Sequence, residues 1–429
     1  MCIALPAKII KIKNNQAWVE PFSGNLKEID CSLYPEAKPG DYFLAYGGRA
    51  LKILKDNEAE EMLKLLHEVQ KRTQFFEIIK KGKLNTADVR YLLNLEDPQD
   101  LYLLYSEADR LREVFLKKSV CVHGVIEFSN YCESNCAYCG LACSNQTLPR
   151  YRMSAQEIIE TACDAVARLG FKMIVLQSGE DYYYDDQTII EIIKGIKKGK
   201  PVLIFLSIGE RGFEAYQKFR KAGAKGILFR FETSDHKLYK KLHPDSELET
   251  RLEHIKFMKE LGYLVASGPL VGLPGQNQES IINDILLMRD LKVDMASIGT
   301  FVPHHQTALG QAEPGSQELT KKVIAATRLT LSPNLRIPIA TSLETVSQGA
   351  ARSEILQSGG NSLMLNLTPN EYRRHYSIYP ERFGEKETVE DLVNESKRLV
   401  SGLGRRVCRG WGAKLKVQEN SDEFLPLCN

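Results

Sequence analysis

The sequence predicts an α/β protein: a (β/α)8 barrel of TIM type, preceded by a small all-β barrel that closes with a helix. Three observations predict it. From residue 122 onward short apolar runs alternate with segments of helical periodicity, and eight such runs occur before residue 385. Residues 1 to 52 instead carry short strands separated by turn residues. Three cysteines, Cys132, Cys136 and Cys139, fall in the loop directly after the first run of the alternating region, which is where barrels of this kind place their chemistry.

With 429 residues the chain can hold two or three domains and a large core. Its net charge is +2 and no dense Lys/Arg tract occurs, so nucleic-acid binding is not expected. No apolar run approaches the roughly 20 residues of a membrane span. The opening Met1-Cys2-Ile3-Ala4-Leu5-Pro6-Ala7-Lys8 lacks the basic-then-apolar order of a secretory signal. Ten cysteines are too sparse for a disulfide scaffold in a chain this long, so a reducing cytoplasm is the expected location.

Along the chain, Ala7–Ile12 and Gln16–Glu20 read as strands joined by the turn Asn14-Asn15, and Gly40-Asp41 precedes a strand at Tyr42–Tyr46. So short an all-β segment is most simply a small barrel. Met62, Leu65, Leu66 and Val69 then repeat at helical spacing and complete a front module over residues 1–72. Residues 73–120 read as a helical lead-in, with one helix marked by Phe75, Ile78 and Ile79 and another by Leu101, Leu104, Tyr105, Ala108 and Leu111. The large barrel is expected over 121–385. Its strands are Val122–Phe128, Met173–Leu176, Val202–Ser207, Gly226–Phe231, Leu264–Pro269, Asp294–Gly299, Arg336–Ala340 and Asn361–Leu365. After the first strand Ser154 and Glu157 form a capping box, Ile158, Ile159, Ala162, Ala165, Val166 and Leu169 form an apolar face, and Gly170 ends the helix. After the fifth strand Ile281, Ile282, Ile285, Met288 and Leu291 repeat in the same way. Residues 386–429 read as outer helices and a tail.

The spacing C-x3-C-x2-C puts three thiolates on one short loop. They can hold three irons of a [4Fe–4S] cube while the fourth iron keeps an open position for a substrate. Zinc is the alternative, but it wants four ligands, usually as two pairs, and no second pair follows at finger spacing. The pattern resembles the radical S-adenosylmethionine (SAM) superfamily. The resemblance implies that the amino and carboxylate groups of SAM chelate the open iron, and that an electron from the cluster breaks the sulfonium C–S bond to release a 5′-deoxyadenosyl radical.

Such a cofactor needs acceptors for its ammonium, a cation for its carboxylate and polar partners for its ribose. The second strand runs into Gln177-Ser178-Gly179-Glu180, where a glycine lets backbone carbonyls approach an ammonium. The third strand ends at Ser207, and the fourth in Arg230-Phe231-Glu232-Thr233. Arg251, on the next helix, can pair bidentately with a carboxylate. The segment Gly268–Gly275 can lie against adenine, and Tyr138 stands beside Cys139 to cover the cube. Each has a structural alternative. Ser178-Gly179 reads equally as a strand-to-helix turn, Glu232 as a carboxylate at a helix N-terminus, Arg251 as a surface ion pair, Tyr138 as packing and Met364 as barrel core. Cys121, Cys143, Cys163, Cys408 and Cys428 read as ordinary thiols.

Longer stretches narrow the likeness. Glu127 to Cys132, Cys139-Gly140-Leu141, Arg150-Tyr151-Arg152-Met153, Val175 to Asp181, Gly272-Leu273-Pro274-Gly275-Gln276 and Phe301-Val302-Pro303-His304 look like the HydE family of [FeFe]-hydrogenase maturases, close in fold to biotin synthase and methylornithine synthase. The likeness covers roughly residues 75–385. It implies that Ser178, Gly179, Glu180, Ser207, Glu232 and Arg251 hold SAM, and that Arg230, Thr341, Met364 and Tyr379 face a large, positively lined cavity. It also implies a small iron complex with carbonyl, cyanide and cysteine ligands as substrate, attacked at the cysteine sulfur, with Tyr379 either handling a late proton or electron or simply filling space. A reductant such as ferredoxin or flavodoxin and other hydrogenase maturation proteins would be the partners. Many members carry an accessory cluster on cysteines after the segment matching Tyr379-Pro380. Here Glu381-Arg382-Phe383-Gly384 has none and no cysteine follows until Cys408, so no accessory cluster is expected.

In the front module, Met1 to Lys8, Gly40-Asp41-Tyr42-Phe43-Leu44 and the acidic helix near Glu58 to Leu66 resemble the HypC/HupF family of small β-barrel hydrogenase chaperones. That resemblance implies that Cys2, after methionine removal, holds an iron–cyanide–carbonyl fragment, although Tyr46 stands where the family usually has a histidine. The alternative for Cys2 is a buried hydrophobe in the first strand. Both halves then imply a maturase handling iron fragments. Two other classes stay open: a radical SAM mutase or sulfur-inserting enzyme acting on a free amino acid or cofactor precursor, and a non-catalytic carrier of an iron fragment.

Overall fold

The computed structural model describes residues 4–22, 24–199 and 201–408, and the chain divides into two compact units between Gly82 and Lys83. Cys2 and everything from residue 409 lie outside the described residues. In the front unit β1 (Leu5–Lys13), β2 (Gln16–Pro21), β3 (Lys27–Asp30), β4 (Tyr42–Tyr46) and β5 (Arg49–Leu54) close a barrel in the order β1-β2-β3-β5-β4. Asn14 and Asn15 take φ of 50° and 64°, the left-handed conformation that a two-residue hairpin turn needs to match strand twist. Alternate residues point inward, so Ala7, Ile9, Ala17, Val19, Ile29, Cys31, Phe43 and Ala50 form the core. Helix α1 (Asp56–Ile79) follows without a break, because no glycine or proline interrupts it. The two helical stripes expected on either side of residue 72 are therefore one helix. Leu65 and Val69 of the first stripe are exposed, and the buried positions of α1 are Ala59, Phe75 and Ile78.

In the second unit α2 (Thr86–Leu93) and α3 (Pro98–Leu116) precede the large barrel. Its strands are β6 (Ser119–Ser129), β7 (Met173–Ser178), β8 (Leu203–Ser207), β9 (Gly226–Leu228), β10 (Leu264–Ser267), β12 (Met295–Ala296), β14 (Pro338–Ile339) and β15 (Ser362–Asn366), with β11 (Leu270–Val271) and β13 (Gly299–Thr300) forming a two-stranded parallel ladder of their own. The parallel order is β12-β10-β9-β8-β7-β6-β15-β14, and a bridge from Met295 to Arg336 joins its two ends, with Ala296 N–H donating to Arg336 O at 2.8 Å. The eight-strand α/β barrel read from the sequence is thus the fold. The fifth expected strand ends earlier, at Ser267, with β11 following it, and the sixth is divided between β12 and β13. A further strand, β16 (Arg406–Cys408), pairs parallel with β6 after the helix Val389–Gly402, where outer helices and a tail were expected; three residues are too few to show a period. The capping box at Ser154 forms as read, with Glu157 N–H donating to Ser154 Oγ at 3.2 Å and Ser154 N–H to Glu157 Oε2 at 2.7 Å.

Strand residues of one parity fill the barrel. Met173, Val175, Leu203, Phe205, Ala266 and Met295 form its apolar interior, joined by Val125, Leu228, Leu264 and Met364. Gly226 leaves room for the Phe205 ring, since a Cβ there would sit 2.3 Å from it. This plug ends below the C-terminal strand ends, so the space above it stays open. No helix among the described residues is long and apolar enough to cross a membrane.

Candidate active site

The cysteine loop leaves the C-terminal end of β6 and is tied to three sides of the barrel. Glu133 N–H donates to Glu180 O at 3.0 Å, Ala137 N–H to Leu242 O at 2.9 Å, and Gly140 N–H to Ile378 O at 2.9 Å. His304 N–H donates to Tyr138 O and Leu309 N–H to Ala137 O. Arg150 gathers carbonyls from beneath, donating to Leu141 O at 3.0 Å and to Ala142 O and Asn145 O at 2.9 Å. Ser134 Oγ donates to Glu180 Oε2 at 2.6 Å, and Glu210 N–H to Glu180 Oε1 at 3.0 Å. Glu180 therefore faces the cavity while also clamping the loop to β7. Gly179 is required by a close approach: a Cβ there would lie 2.2 Å from Tyr131 O and 2.7 Å from Cys132 Cβ.

Above the barrel plug lies a cavity of about 350 Å³. Cys132, Cys136 and Cys139 line it together with Tyr138, Ser178, Gly179, Glu180, Ser207, Arg230, Glu232, Arg251, Thr341, Met364 and Tyr379. Residues chosen from separate strand ends thus meet in one chamber. Met364 also packs on the apolar plug, so it belongs to core and cavity floor at once.

The thiols suit a cluster. Burial pushes each of them up, helped by the fields of the neighbouring thiols at Cys136 and Cys139, and Cys139 reaches about 12. Half-buried thiols held in the protonated form ionise when a cation such as iron binds them. Among the described residues no three Cys, His, Asp or Glu side chains converge closely enough to share one metal ion. The three thiols line one cavity, as a cluster in which each iron takes its own thiolate requires.

The polar wall fits an amino-acid cofactor. Arg251, on the helix Leu248–Glu260, is stacked over Phe229 at 4.3 Å, and its Nε lies 3.2 Å from both Tyr239 OH and Glu210 Oε1. It is a largely buried cation, not a surface ion pair. Glu232 holds a φ of +64°, a strained value for a residue with a side chain, pinned by Glu232 N–H to Gly268 O at 3.2 Å and Leu270 N–H to Glu232 O at 2.8 Å. The Arg230 guanidinium lies 3.1 Å from Glu232 Oε2, yet that oxygen has no aligned hydrogen bond. Burial pushes this carboxyl up, opposed by Arg230 and Arg251. A buried acceptor left open toward a cavity is a place for a donor from a ligand.

Several lining residues escaped the sequence reading. Glu127 and Arg382 form a buried bidentate pair, with Arg382 Nη1 3.1 Å from Glu127 Oε2, and Asn366 Nδ2 donates to the same oxygen at 2.7 Å. Gln177 Nε2 reaches Tyr376 OH at 3.3 Å beside them. Strand parity was the available signal for Glu127, two residues beyond the inward Val125; nothing in the sequence marks Arg382. His243 was also missed. It lies behind the cysteine loop, with Nδ1 3.2 Å from Cys136 Sγ, and burial with the charges of Arg251 and Arg230 pushes its imidazole down to about 3.

Known proteins resemble this chain. Residues 126–288 match the Radical SAM superfamily and residues 1–66 match the HupF/HypC family. The [FeFe] hydrogenase maturase subunit HydE of Thermotoga maritima is 38% identical over 346 residues, covering 81% of this chain and 98% of its own length. The 3-methylornithine synthase of Methanosarcina acetivorans is 32% identical over 329 residues, covering 76% of this chain and 91% of its own. A solved methylornithine synthase, PylB, superposes with a TM-score of 0.67 at 28% identity, covering 78% of this chain and 96% of its own.

Proposed function

The chain belongs to the HydE-like group of the radical SAM superfamily, and from that premise we propose that it cleaves SAM to act on a small iron complex bearing carbonyl, cyanide and cysteine ligands, in maturation of the [FeFe]-hydrogenase H-cluster. The family implies an iron–sulfur cluster and SAM; the proposed cluster is [4Fe–4S], on Cys132, Cys136 and Cys139. The observation that carries the reading is the single chamber in which these thiols meet Arg251, the carboxylates of Glu127, Glu180 and Glu232, and an apolar floor.

When bound, the reduced cluster and SAM supply the electron and the radical precursor. The chain's own residues position and seclude. Arg251 offers its guanidinium to the SAM carboxylate, Glu232 and the backbone at Gly179 accept from its ammonium and ribose, and Ser178, Glu180 and Ser207 complete the polar wall. Arg230, Thr341 and Met364 face the substrate. Tyr379, which burial pushes up to about 12, keeps its phenol proton at neutral pH, and its proposed role is to handle a late proton or electron. The closed apolar barrel below excludes water from the reacting space. The front unit, matched to HupF/HypC, is proposed to carry an iron fragment on Cys2 and to work with partner maturases; a reductant such as ferredoxin or flavodoxin supplies the electron.

Likeness to 3-methylornithine synthase supports a second reading, rearrangement of a free amino acid. The test is to reduce the anaerobically reconstituted full chain with SAM, then add either a cysteine-ligated iron carbonyl–cyanide complex or free amino acids. Release of 5′-deoxyadenosine stimulated by the iron complex is expected. Stimulation by an amino acid alone would select the second reading, and a loaded cluster with no SAM cleavage would leave only a carrier. A Cys2→Ser chain should cleave SAM normally but fail to support hydrogenase maturation; normal maturation would remove the carrier role.

A further inference from the structure

We infer that His243 is a positioning residue for the iron–sulfur site: its Nδ1–H donates to the sulfur of Cys136 and raises the reduction potential of the cluster. The inference rests on the cluster reading given above. The Nδ1 to Sγ distance is 3.2 Å. The ring is held from several directions. It follows the helix His236–Leu242, and His243 N–H donates to Tyr239 O at 2.8 Å. It stacks on Tyr239 at 4.7 Å and 29°, and meets Tyr138 edge-on at 5.7 Å and 90°. The hydrogen bond from Ala137 N–H to Leu242 O joins the cysteine loop to the residue just before His243. Loop and ring are therefore tied by backbone, and the approach to sulfur does not depend on the ring alone.

Chemistry then fixes the tautomer. A thiolate bound to iron accepts hydrogen bonds and has none to give, so Nδ1 carries the hydrogen. Nε2 of the neutral ring is left as a bare acceptor, and it is buried with no partner. Leaving a nitrogen so costs free energy that a packing residue such as phenylalanine would not incur. The Nδ1 contact is what the imidazole contributes in return. A donor at a cluster sulfur draws off negative charge and stabilises the added electron of the reduced state.

The experiment compares His243→Phe and His243→Asn with the native full chain, each reconstituted anaerobically, by counting iron and titrating the reduced-cluster paramagnetic signal against potential. Phenylalanine keeps the packing and loses the donor; asparagine places its amide nitrogen near the position of Nδ1. The expected result is a more negative potential in His243→Phe, with a reduced-to-oxidised ratio about tenfold lower at a given potential, a shift of about 59 mV for one electron. His243→Asn should recover most of it at equal iron content. Loading of the asparagine variant alone would also support the donor role. An unmoved potential in fully loaded His243→Phe, or equal behaviour of the two variants, including equal loss of iron from folded protein, overturns the inference. Absence of a reducible cluster from the native chain would overturn the cluster reading itself, and this inference with it.

Discussion

Replacing Gly179 by alanine tests how the cysteine loop is seated. The new Cβ would meet Tyr131 O at 2.2 Å and Cys132 Cβ at 2.7 Å, whereas ordinary contact begins near 3.4 Å. Both neighbours lie at the base of the loop, so relief requires the chain at Tyr131 and Cys132 to retreat by about 1 Å, enough to spoil a placed reactive group. That motion breaks or stretches three hydrogen bonds: Gly179 N–H to Ser129 O at 3.2 Å, Glu133 N–H to Glu180 O at 3.0 Å, and Glu180 N–H to Cys132 Sγ at 3.3 Å. Overpacking costs about 1–3 kcal/mol, and each weakened hydrogen bond up to about 1 kcal/mol more. Iron content, SAM affinity and thermal unfolding of the apo-protein are the assays. Gly402→Ala serves as control: nothing lies within 4 Å of its added methyl, and it should be neutral or stabilising by about 0.4–1 kcal/mol. Native iron loading, native SAM affinity and an unchanged melting temperature in Gly179→Ala would refute the reasoning.

Other outcomes follow from the same geometry. Glu127→Ala should lower stability to urea by about 3–5 kcal/mol, because it strands the buried Arg382 guanidinium; the double change with Arg382→Leu should cost less than the single one. Arg251→Ala should weaken SAM binding about 10- to 100-fold, the worth of a charge-assisted hydrogen bond, without changing iron content; equal affinity by calorimetry would remove it from the cofactor wall. Burial raises Asp284 from 3.8 to about 7, against hydrogen bonds from Ser234 and Gln276. The folded chain thus keeps a proton that the unfolded chain releases. This contribution to stability is present below pH 3.8 and is lost as pH rises toward 7, at about 1.4 kcal/mol per pH unit. Denaturation of Asp284→Asn should show a flatter pH profile, and an unaltered slope would contradict the assignment. Finally, iron analysis should give about four irons per chain, as one cluster requires; six to eight would reveal a second cluster.

The sequence by itself determined the barrel and the position of its site. Apolar runs such as Met173–Leu176 between helical stripes force parallel strands covered on both faces. A loop at a strand's C-terminal end must then open on the barrel mouth, so Cys132, Cys136 and Cys139 were legible before any coordinate. Strand-end residues such as Ser207 and Glu232 were legible for the same reason. The continuity of α1 and the pairing of β16 with β6 were not, because a stripe does not show where a helix truly packs and three residues carry no period. Only the tertiary structure decided which distant groups complete the chamber and back the cysteine loop. Arg382 reaches Glu127 from 255 positions away, and His243 reaches Cys136 from 107. Local propensity and periodicity act over a few residues, whereas such pairs are set by how the loops cross above the barrel, and no pattern in the chain encodes that crossing before it folds.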